Sequence, residues 1–286
     1  MSVRLVITDA MWDRIEPLMP ADPVRGRRWA GHRRTLEAIA WKYHTNSPWW
    51  DLPDELGPFQ TAHKRLIRWG GRRYLGDDLA AVLSAADADD DIDWTMSVDS
   101  TVVRAHQHAA GARKKGAAHY GEPADHALGR SRGGLSTKVH LAADGRARPL
   151  AFTVTAGQAG DAPAFETVMS RMRVPRRGPG RPRTRPVAVL ADRAYSSRAI
   201  RAHLRHRGIR AVIPQPSDQI GHRLRRARRD GRPPGFDREA YKQRNTVERC
   251  INRLKQWRGL ATRTDELALA YQAALHLAGI LIWTRH

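Results

Sequence analysis

The stretch YKQRNTVERCINRLK, residues 241–255, combines helical periodicity with charged side chains and guides the interpretation of the whole chain. At about 100° per residue, one continuous helix brings a phenol, two cations and a carboxylate into an arc of about 60°. These side chains are Tyr241, Arg244, Glu248 and Lys255. Apolar residues fill the neighbouring arc, so we expect a buried edge beside a charged row. The alternative is a solvated helix, because charged side chains mostly lie at protein surfaces.

Two aspartates that interrupt hydrophobic runs favour a functional role for this charged row. Asp99 lies within WTMSVDSTVVRAH, residues 94–106, which alternates like a half-buried strand. Asp192 ends the apolar run of VAVLADRAY, residues 187–195. Strands are depleted in aspartate, so an isolated one in such a run is unusual. Only folding can bring these two residues to Glu248, because all three are far apart in the sequence.

Three carboxylates on two strands and a helix would form an oxygen-rich site of the kind that binds Mg²⁺ or Mn²⁺. Two such ions stabilise the attacking and the leaving oxygen of a phosphoryl transfer. We therefore choose Asp99, Asp192 and Glu248 as candidate catalytic residues and as ligands of two metal ions. The alternatives, Asp93 and Asp161, are better explained as part of an acidic stretch and as a helix cap.

The charge of the chain indicates a polyanionic partner. Its 286 residues include 50 Lys and Arg against 29 Asp and Glu, a formal net charge of +21. Such an excess favours nucleic acid first and an acidic membrane second. Arginine far outnumbers lysine, and the planar guanidinium suits phosphate and guanine contacts. Double-stranded DNA is therefore the expected partner.

Cysteine content and hydropathy bound the location of the protein. A single cysteine, Cys250, excludes an internal disulfide and a cysteine-based zinc site. The N-terminus lacks the pattern of a signal peptide. The apolar run of residues 267–283 is interrupted by polar side chains, which predicts a buried C-terminal helix rather than a membrane span. We expect a cytoplasmic, nucleoid-associated protein without membrane contact.

The N-terminal part predicts a helical DNA-binding domain over residues 1–83. Its third helix, FQTAHKRLIRWG at residues 59–70, follows a turn and is amphipathic and basic, the outline of a helix-turn-helix domain. On that outline five residues face DNA: Gln60, Thr61, His63, Lys64 and Arg68. The alternative is a helical bundle with a solvated basic face. The segment 84–93, rich in aspartate, is predicted to be an acidic linker.

The rest of the chain, residues 94–286, predicts a catalytic domain of mixed α/β class. After the first strand comes a hairpin of residues 135–143 and 147–156, joined by the turn signal Asp144-Gly145. Helix, strand, helix, strand and helix follow in order. The Gly- and Lys/Arg-rich segment 110–134 indicates a mobile loop near phosphates, including Lys114 and Lys115, and residues 172–186 indicate a flexible arginine arm. His106 and His108 are interpreted as DNA contacts rather than metal ligands.

Several motifs together resemble a known family. The signature Tyr-x2-Arg-x3-Glu-x6-Lys is filled by Tyr241, Arg244, Glu248 and Lys255. Both SVDSTVVRAHQHAAGARKKG (97–116) and VLADRAYSSRAI (189–200) resemble aspartate blocks of the bacterial insertion-sequence DDE transposases of the IS-four/IS-five type. Further stretches resemble the same family, namely residues 129–150 and 245–263, and PWWDLPDELGPFQTAHKRLIRW (48–69) resembles its N-terminal DNA-binding domain. The resemblance thus covers nearly the whole chain.

The resemblance implies a ribonuclease H-like core with Asp99 on the first strand, Asp192 after the fourth and Glu248 on a helix packed against the sheet. It implies metal-dependent cleavage at insertion-sequence ends by activated water, followed by attack of the freed 3′-hydroxyl on target DNA. Tyr241, Arg244 and Lys255 would contact DNA. The further expected DNA contacts are Lys64, Arg68, His106, Lys114 and Lys115, and pairing of two ends implies a homodimer.

Three other functions remain open from the sequence. A nuclease of the same fold would share the triad and cleave without joining strands. A DNA-binding remnant of a transposase would occupy sites without cleaving them. A basic nucleoid protein would account for the charge but not for the three carboxylates.

Overall fold

The computed structural model of the protein describes residues 5–21, 28–114, 121–226 and 233–285. Lys115 and the side chain of Lys114, both predicted DNA contacts, lie outside the described part of the chain. The described elements are helices in the N-terminal part followed by a mixed sheet with helices, so the predicted α/β class is confirmed.

Among the described residues of the N-terminal part, four α-helices occur: α1 (Asp9–Ile15), α2 (His32–Thr45), α3 (Phe59–Gly71) and α4 (Tyr74–Ala88). Thr8 caps α1, since its hydroxyl accepts a hydrogen bond from the amide of Met11. The connector 46–58 between α2 and α3 contains two short 3₁₀ turns. It is longer than the three- or four-residue turn of a helix-turn-helix domain.

The segment predicted as an acidic linker is partly helical, because α4 continues to Ala88. Its carboxylates also have partners in the following domain. Asp87 accepts hydrogen bonds from Trp94 Nε1 at 3.0 Å and from Arg183 at 3.1 Å. These contacts hold the segment in place against the sheet, whereas the predicted domain boundaries remain a prediction.

In the described part of the chain, seven strands form one mixed sheet: β1 (Thr95–Ala105), β2 (Gly129–Ser131), β3 (Gly134–Ala143), β4 (Pro149–Ala156), β5 (Ala188–Ala191), β6 (Arg210–Val212) and β7 (Thr262–Arg263). β1 lies between β3, to which it is antiparallel, and β5, to which it is parallel. β4 pairs antiparallel with β3, and β6 pairs parallel with β5. The resulting order β4-β3-β1-β5-β6, with the predicted β3–β4 hairpin, is the ribonuclease H-like arrangement.

Helices cover both faces of this sheet: α5 (Asp161–Arg171), α6 (Arg198–His206), α7 (Ser217–Arg226), α8 (Arg238–Lys242), α9 (Asn245–Lys255), α10 (Arg258–Ala261) and α11 (Ala268–Thr284). Consecutive side chains of β1 point to opposite faces. Ser100 contacts α5 on one face, and Thr101 contacts α9 on the other. The two helices therefore lie on opposite sides of β1.

The C-terminal apolar run forms the buried helix α11, as predicted. It packs against α2, α3 and α4 on one side and β4 on the other, so one hydrophobic core joins the N-terminal helices to the sheet. No helix in the described part of the chain is long and apolar enough to cross a membrane.

The predicted arginine arm is folded onto the protein. Val174 and Arg183 form an isolated antiparallel bridge, which closes residues 174–183 into a loop. The guanidinium of Arg183 lies 4.0 Å from the ring centroid of Trp94, a cation–π contact. The prediction of a flexible arm was wrong here, because composition alone does not reveal a partner that lies far away in the sequence.

Candidate active site

Parallel pairing of β1 with β5 brings the two aspartates to one place in the sheet. The last pair in register joins Val98 of β1 to Ala191 of β5. Asp99 and Asp192 are the residues that follow this pair. Asp192 ends β5 and starts a 3₁₀ turn, because its Oδ1 accepts a hydrogen bond from the amide of Ala194 at 2.8 Å. Two carboxylates that are distant in sequence therefore lie at neighbouring strand positions.

Helix α9 supplies the third carboxylate. Its apolar edge is buried against the sheet through Val247, Cys250 and Leu254. The hydroxyl of Thr246 donates to Ser97 Oγ on β1 at 3.0 Å, which fixes the position of the helix along the strand. Glu248 lies two residues further along α9, and half of its side chain (50%) is exposed.

Arg244 joins the acids of strand and helix. Its Nη2 donates to Asp99 Oδ2 at 2.6 Å, and its Nη1 donates to Glu248 Oε1 at 2.8 Å. The planar guanidinium thus spans two carboxylates with separate N–H groups, as its fork geometry allows. Asp99, only 17% exposed, is the more enclosed of the two acids.

The electrostatics of Asp99 show that the acids interact. Burial raises the pKa of the Asp99 carboxyl, and the charges of Asp192 and Glu248 raise it further. The amide of Ser100 and the guanidinium of Arg244 oppose this shift. A carboxylate in this position gains from any additional cation, since a cation offsets both burial and the neighbouring negative charges.

The three acids provide the hard oxygen donors that Mg²⁺ and Mn²⁺ prefer, so the donor chemistry fits such ions. Within the ranges described, however, no three His, Cys, Asp or Glu side chains are grouped closely enough to hold a metal as they stand. Arg244 bonds to two of the three candidate ligands. The positive charge among these carboxylates is thus supplied by the protein itself.

The predicted continuous helix over residues 241–255 is wrong in its middle. It is divided into α8 and α9, and the amides of Gln243 and Arg244 bond three residues back rather than four. This tighter turn changes the helical phase. Residues on either side of the turn contact different strands. Tyr241 packs beside β5 and β6, whereas Arg244 bonds to Asp99 on β1, and the tighter turn accommodates both contacts.

The break separates the four residues of the signature. Tyr241 lies against the small apolar cluster of Ala188, Leu190 and Val212, with its ring 5.2 Å from that of Phe236. Lys255 lies at the other end of α9, where its Nζ donates to Thr101 Oγ1 at 2.7 Å. Burial lowers the pKa of Lys255. Among the described side chains of the predicted row, a hydrogen bond joins Arg244 to Glu248.

A polar network on the opposite face of β1 was missed from the sequence. Ser100 Oγ donates to Asp161 Oδ1 at 2.5 Å, and Lys138 Nζ donates to the same oxygen at 3.0 Å. Asp161 therefore ties α5 to the strand that carries Asp99. The alternation of β1 was the available signal, because it places Ser100 on the face away from Asp99.

Tyr195 anchors the turn that follows Asp192. Its side chain is fully buried, and its ring lies 5.9 Å from that of Phe165 on α5. Burial raises the pKa of the Tyr195 phenol, so the phenol stays neutral. The turn is thereby packed against α5, on the side opposite to α9.

The predicted DNA contacts of the N-terminal part fall on two different surfaces. Gln60, Lys64 and Arg68 are exposed at intervals of four residues, so they share one face of α3. His63 instead lies inward, with its ring 5.4 Å from that of Trp49. His106 is exposed at the end of β1. Their roles in DNA binding remain predictions.

A ribonuclease H-like sheet with carboxylates on two adjacent strands and a facing helix is typical of polynucleotidyl transferases and related nucleases. The chain belongs to the family described as "Transposase DDE domain", which matches residues 92–283. Residues 7–75 match a second family, described as "Putative transposase of IS4/5 family". Both matches confirm the resemblance that the sequence motifs indicated.

Individual relatives agree with this assignment. The chain is 29% identical over 151 residues to a putative transposase for insertion sequence element IS6501 of Brucella ovis, covering 53% of this chain and 100% of that protein. It is 36% identical over 111 residues to an uncharacterized 16.2 kDa protein of insertion element IS402 of Burkholderia cepacia. The match covers 35% of this chain and 74% of that protein. The solved structure of the Mos1 strand transfer complex is 17% identical and matches over 84% of this chain and 80% of that chain. Its TM-score of 0.26 is too low to support the family assignment.

Proposed function

We propose that this transposase cleaves DNA at the ends of an insertion sequence and joins the freed 3′-hydroxyl to target DNA, with Asp99, Asp192 and Glu248 as its catalytic residues. The observation that supports this most strongly is the arrangement of carboxylates on two adjacent strands with Arg244 bridging to the facing helix. The family match supports the activity, and the geometry supports the choice of residues.

Asp99, Asp192 and Glu248 would hold divalent metal ions, with Mg²⁺ or Mn²⁺ as the candidates and two ions as the expected number. Bound there, such ions activate water and stabilise the oxygens that attack and leave the phosphorus. In hydrolysis the water oxygen bonds to phosphorus, and the bond to the 3′ oxygen breaks. In joining, that 3′ oxygen bonds to a target phosphorus and displaces the target's own 3′ oxygen.

Arg244 has a specific part in this scheme. While it bonds to Asp99 and Glu248, its single positive charge offsets part of the repulsion between the two acids. Metal ions compete for the same oxygens, so we expect the guanidinium to exchange its carboxylate partners for a DNA phosphate. A fork of N–H donors suits phosphate as well as carboxylate. The site would then be closed to metal in free protein and open when DNA is bound.

The remaining charged residues would position the DNA. Lys255 lies two turns from Glu248 along α9, within reach of the next phosphates of a strand that passes the site. Lys64 and Arg68 form a second contact on α3. We also propose that two chains act as a homodimer on paired ends, since joining both ends requires two sites.

The test is a cleavage and joining assay on DNA that carries the ends of the element, with Mg²⁺ or Mn²⁺. We expect metal-dependent nicking and joining by the native chain and neither reaction with Glu248→Gln. Lys242→Gln, which alters an exposed residue outside the site, is the control and should remain active. Cleavage without joining would favour a nuclease of the same fold. Salt-sensitive binding without cleavage by the native chain would favour a DNA-binding remnant.

A further inference from the structure

A groove of about 810 Å³ lies between the N-terminal helices, the end of β1 and the segment before α11. Its volume is within the usual range of small-ligand sites. Aromatic side chains from both parts of the chain line this aromatic groove: Trp49, Trp50, His63, His106 and His108. The catalytic carboxylates are not among its lining residues, so it is a separate site.

The rings of the aromatic groove are available for stacking. Trp50 is 69% exposed, although tryptophan usually buries most of its large apolar surface. Behind it, the rings of Trp49 and His63 lie 5.4 Å apart, and across the groove those of His106 and His108 lie 4.5 Å apart. Aromatic faces of this kind bind planar bases of single-stranded nucleic acid by stacking.

The charge of the aromatic groove differs from that of the chain as a whole. Among the described residues, its lining includes one lysine, Lys42, against two carboxylates, Asp265 and Glu266. Lys42 already donates to Thr264 at 3.1 Å and to Asn46 at 3.4 Å. Burial also lowers the pKa of His63, which favours its neutral form. In a chain of net charge +21, this groove is poorly suited to phosphate and well suited to a neutral ligand.

A hydrogen-bond acceptor at the aromatic groove is incompletely used. Asp265 Oδ1 accepts a hydrogen bond from the Tyr43 hydroxyl at 2.8 Å. Its second oxygen, Oδ2, is buried without a hydrogen-bond partner among the residues that the structure describes. Buried polar atoms are normally satisfied, so a ligand with N–H donors would complete the site after a small adjustment. Nucleobases are planar and neutral and carry such donors.

We propose that the aromatic groove binds an unpaired base of single-stranded DNA, with Trp50 as the stacking platform. The proposal rests on the proposed function, since cleavage at DNA ends is what exposes a single strand. The groove begins at His106, where β1 ends, seven residues beyond Asp99. At about 3.3 Å per residue this places it roughly 20 Å from the carboxylates, within reach of a strand released at the site.

Fluorescence anisotropy with a short labelled single strand tests the proposal on the full chain. Trp50→Ala should weaken binding at least about fivefold, because the stacking platform is lost. Trp50→Phe should restore most of the affinity. Val187→Ala removes a comparably exposed apolar side chain (61%) outside the groove and should leave binding unchanged. Trp50 is exposed, so its replacement is not expected to unfold the protein.

A base-free strand with the same sugar-phosphate backbone separates base recognition from charge. We expect it to bind the native chain more weakly than the normal strand does, and to bind Trp50→Ala and the native chain equally. Equal affinity of the native chain for both strands would overturn the proposal in favour of phosphate contacts. Tighter binding of RNA of the same sequence would overturn the assignment to DNA.

Cross-linking and cleavage distinguish this proposal from the proposed function. A strand with a photoreactive base should attach to peptides containing residues 46–50 or 106–108, and attachment only elsewhere would overturn the site. Metal-dependent cleavage with binding independent of Trp50 would contradict the groove alone. Trp50-dependent binding without any cleavage by the native chain would contradict the proposed catalysis and leave the groove standing.

Discussion

Arg244 is the residue on which the state of the active site depends. It contributes the positive charge that Asp99 and Glu248 share, and both contacts are short. Asp99 is the enclosed partner, with a pKa raised by burial and by neighbouring acids. Removing one partner of such a group leaves the other charges uncompensated. The site without Arg244 should therefore bind a cation more readily.

We predict that Arg244→Gln raises the affinity for Mn²⁺ in the absence of DNA by about tenfold, or about 1.4 kcal/mol. Lys255→Gln is the matched control, because it removes a positive charge from the same helix without touching a carboxylate. Calorimetric titration with Mn²⁺ measures the metal affinity of both variants and of the native chain. An equal gain in the two variants would show that distant charge, rather than the guanidinium bridge, limits metal binding.

Asp78 carries a second prediction at this scale. Burial first, and the charge of Asp77 second, raise its pKa to about 7. Because the folded protein holds this proton more tightly than the unfolded chain does, stability should fall as pH rises from about 4 to 7. Asp78→Asn should remove this loss and stabilise the protein at pH 8, by on the order of 2 kcal/mol, with no gain at pH 4.

Thermal unfolding at the two pH values measures this effect. Asp77→Asn removes the same charge from an exposed neighbour and should give a smaller gain. An equal change for Asp78→Asn at pH 4 and pH 8 would contradict the account, because it would show that the proton is not involved.

At the scale of elements, close contact between helices joins the N-terminal part to the core. A Cβ atom added at Gly70 of α3 would lie 2.7 Å from the carbonyl oxygen of Leu269, in the first turn of α11. Backbone cannot move away cheaply at such a distance, so only glycine fits there. The crossing of α3 with α11 therefore depends on the absence of a side chain.

Gly70→Ala should destabilise the protein by roughly 1–3 kcal/mol, since overpacking exceeds the gain in helix propensity. Gly221→Ala in α7 makes the same change where the nearest atom, on Arg225, is 3.6 Å away. It should be neutral or stabilising by up to about 1 kcal/mol. Chemical denaturation measures both, and a loss of similar size at Gly221 would refute the packing explanation.

The strands and their order along the chain were predictable at this scale, and the helix of the signature was only partly so. Alternation along β1 and the Asp144-Gly145 turn are local signals, and the structure contains both elements. The break between α8 and α9 depends on contacts of Tyr241 with β5 and β6, which no local pattern reveals. The same holds for Ser100 and Asp161, which are 61 residues apart.

At the scale of the whole molecule, the charge of +21 favours association with a polyanion such as DNA. We predict that affinity for the element's ends falls steeply with salt, and that Lys64→Gln reduces the slope of log affinity against log salt by about 1. Arg285→Gln, at the far end of α11, should not change the slope. Filter binding over a range of salt concentrations measures this slope for the native chain and both variants. An unchanged slope for Lys64→Gln would exclude this residue from the interface.

The sequence also predicted which distant acids to consider together, because the motifs around Asp99, Asp192 and Glu248 resemble one family. It did not predict the aromatic groove, which combines the α2–α3 connector with the ends of β1 and β7. Three segments that are distant in the chain meet there, and each alone shows only scattered aromatic residues. The meeting of these three segments can be seen only in the folded chain.

The most direct test of the central claim is metal-directed cleavage of the protein backbone. Fe²⁺ bound in place of Mg²⁺, with ascorbate and peroxide, cuts the polypeptide near its ligands. The account predicts cuts close to Asp99, Asp192 and Glu248 together, stronger when DNA is bound, and all suppressed in Asp192→Asn. Cuts at only one of these positions, or cuts that persist in Asp192→Asn, would contradict a shared metal site.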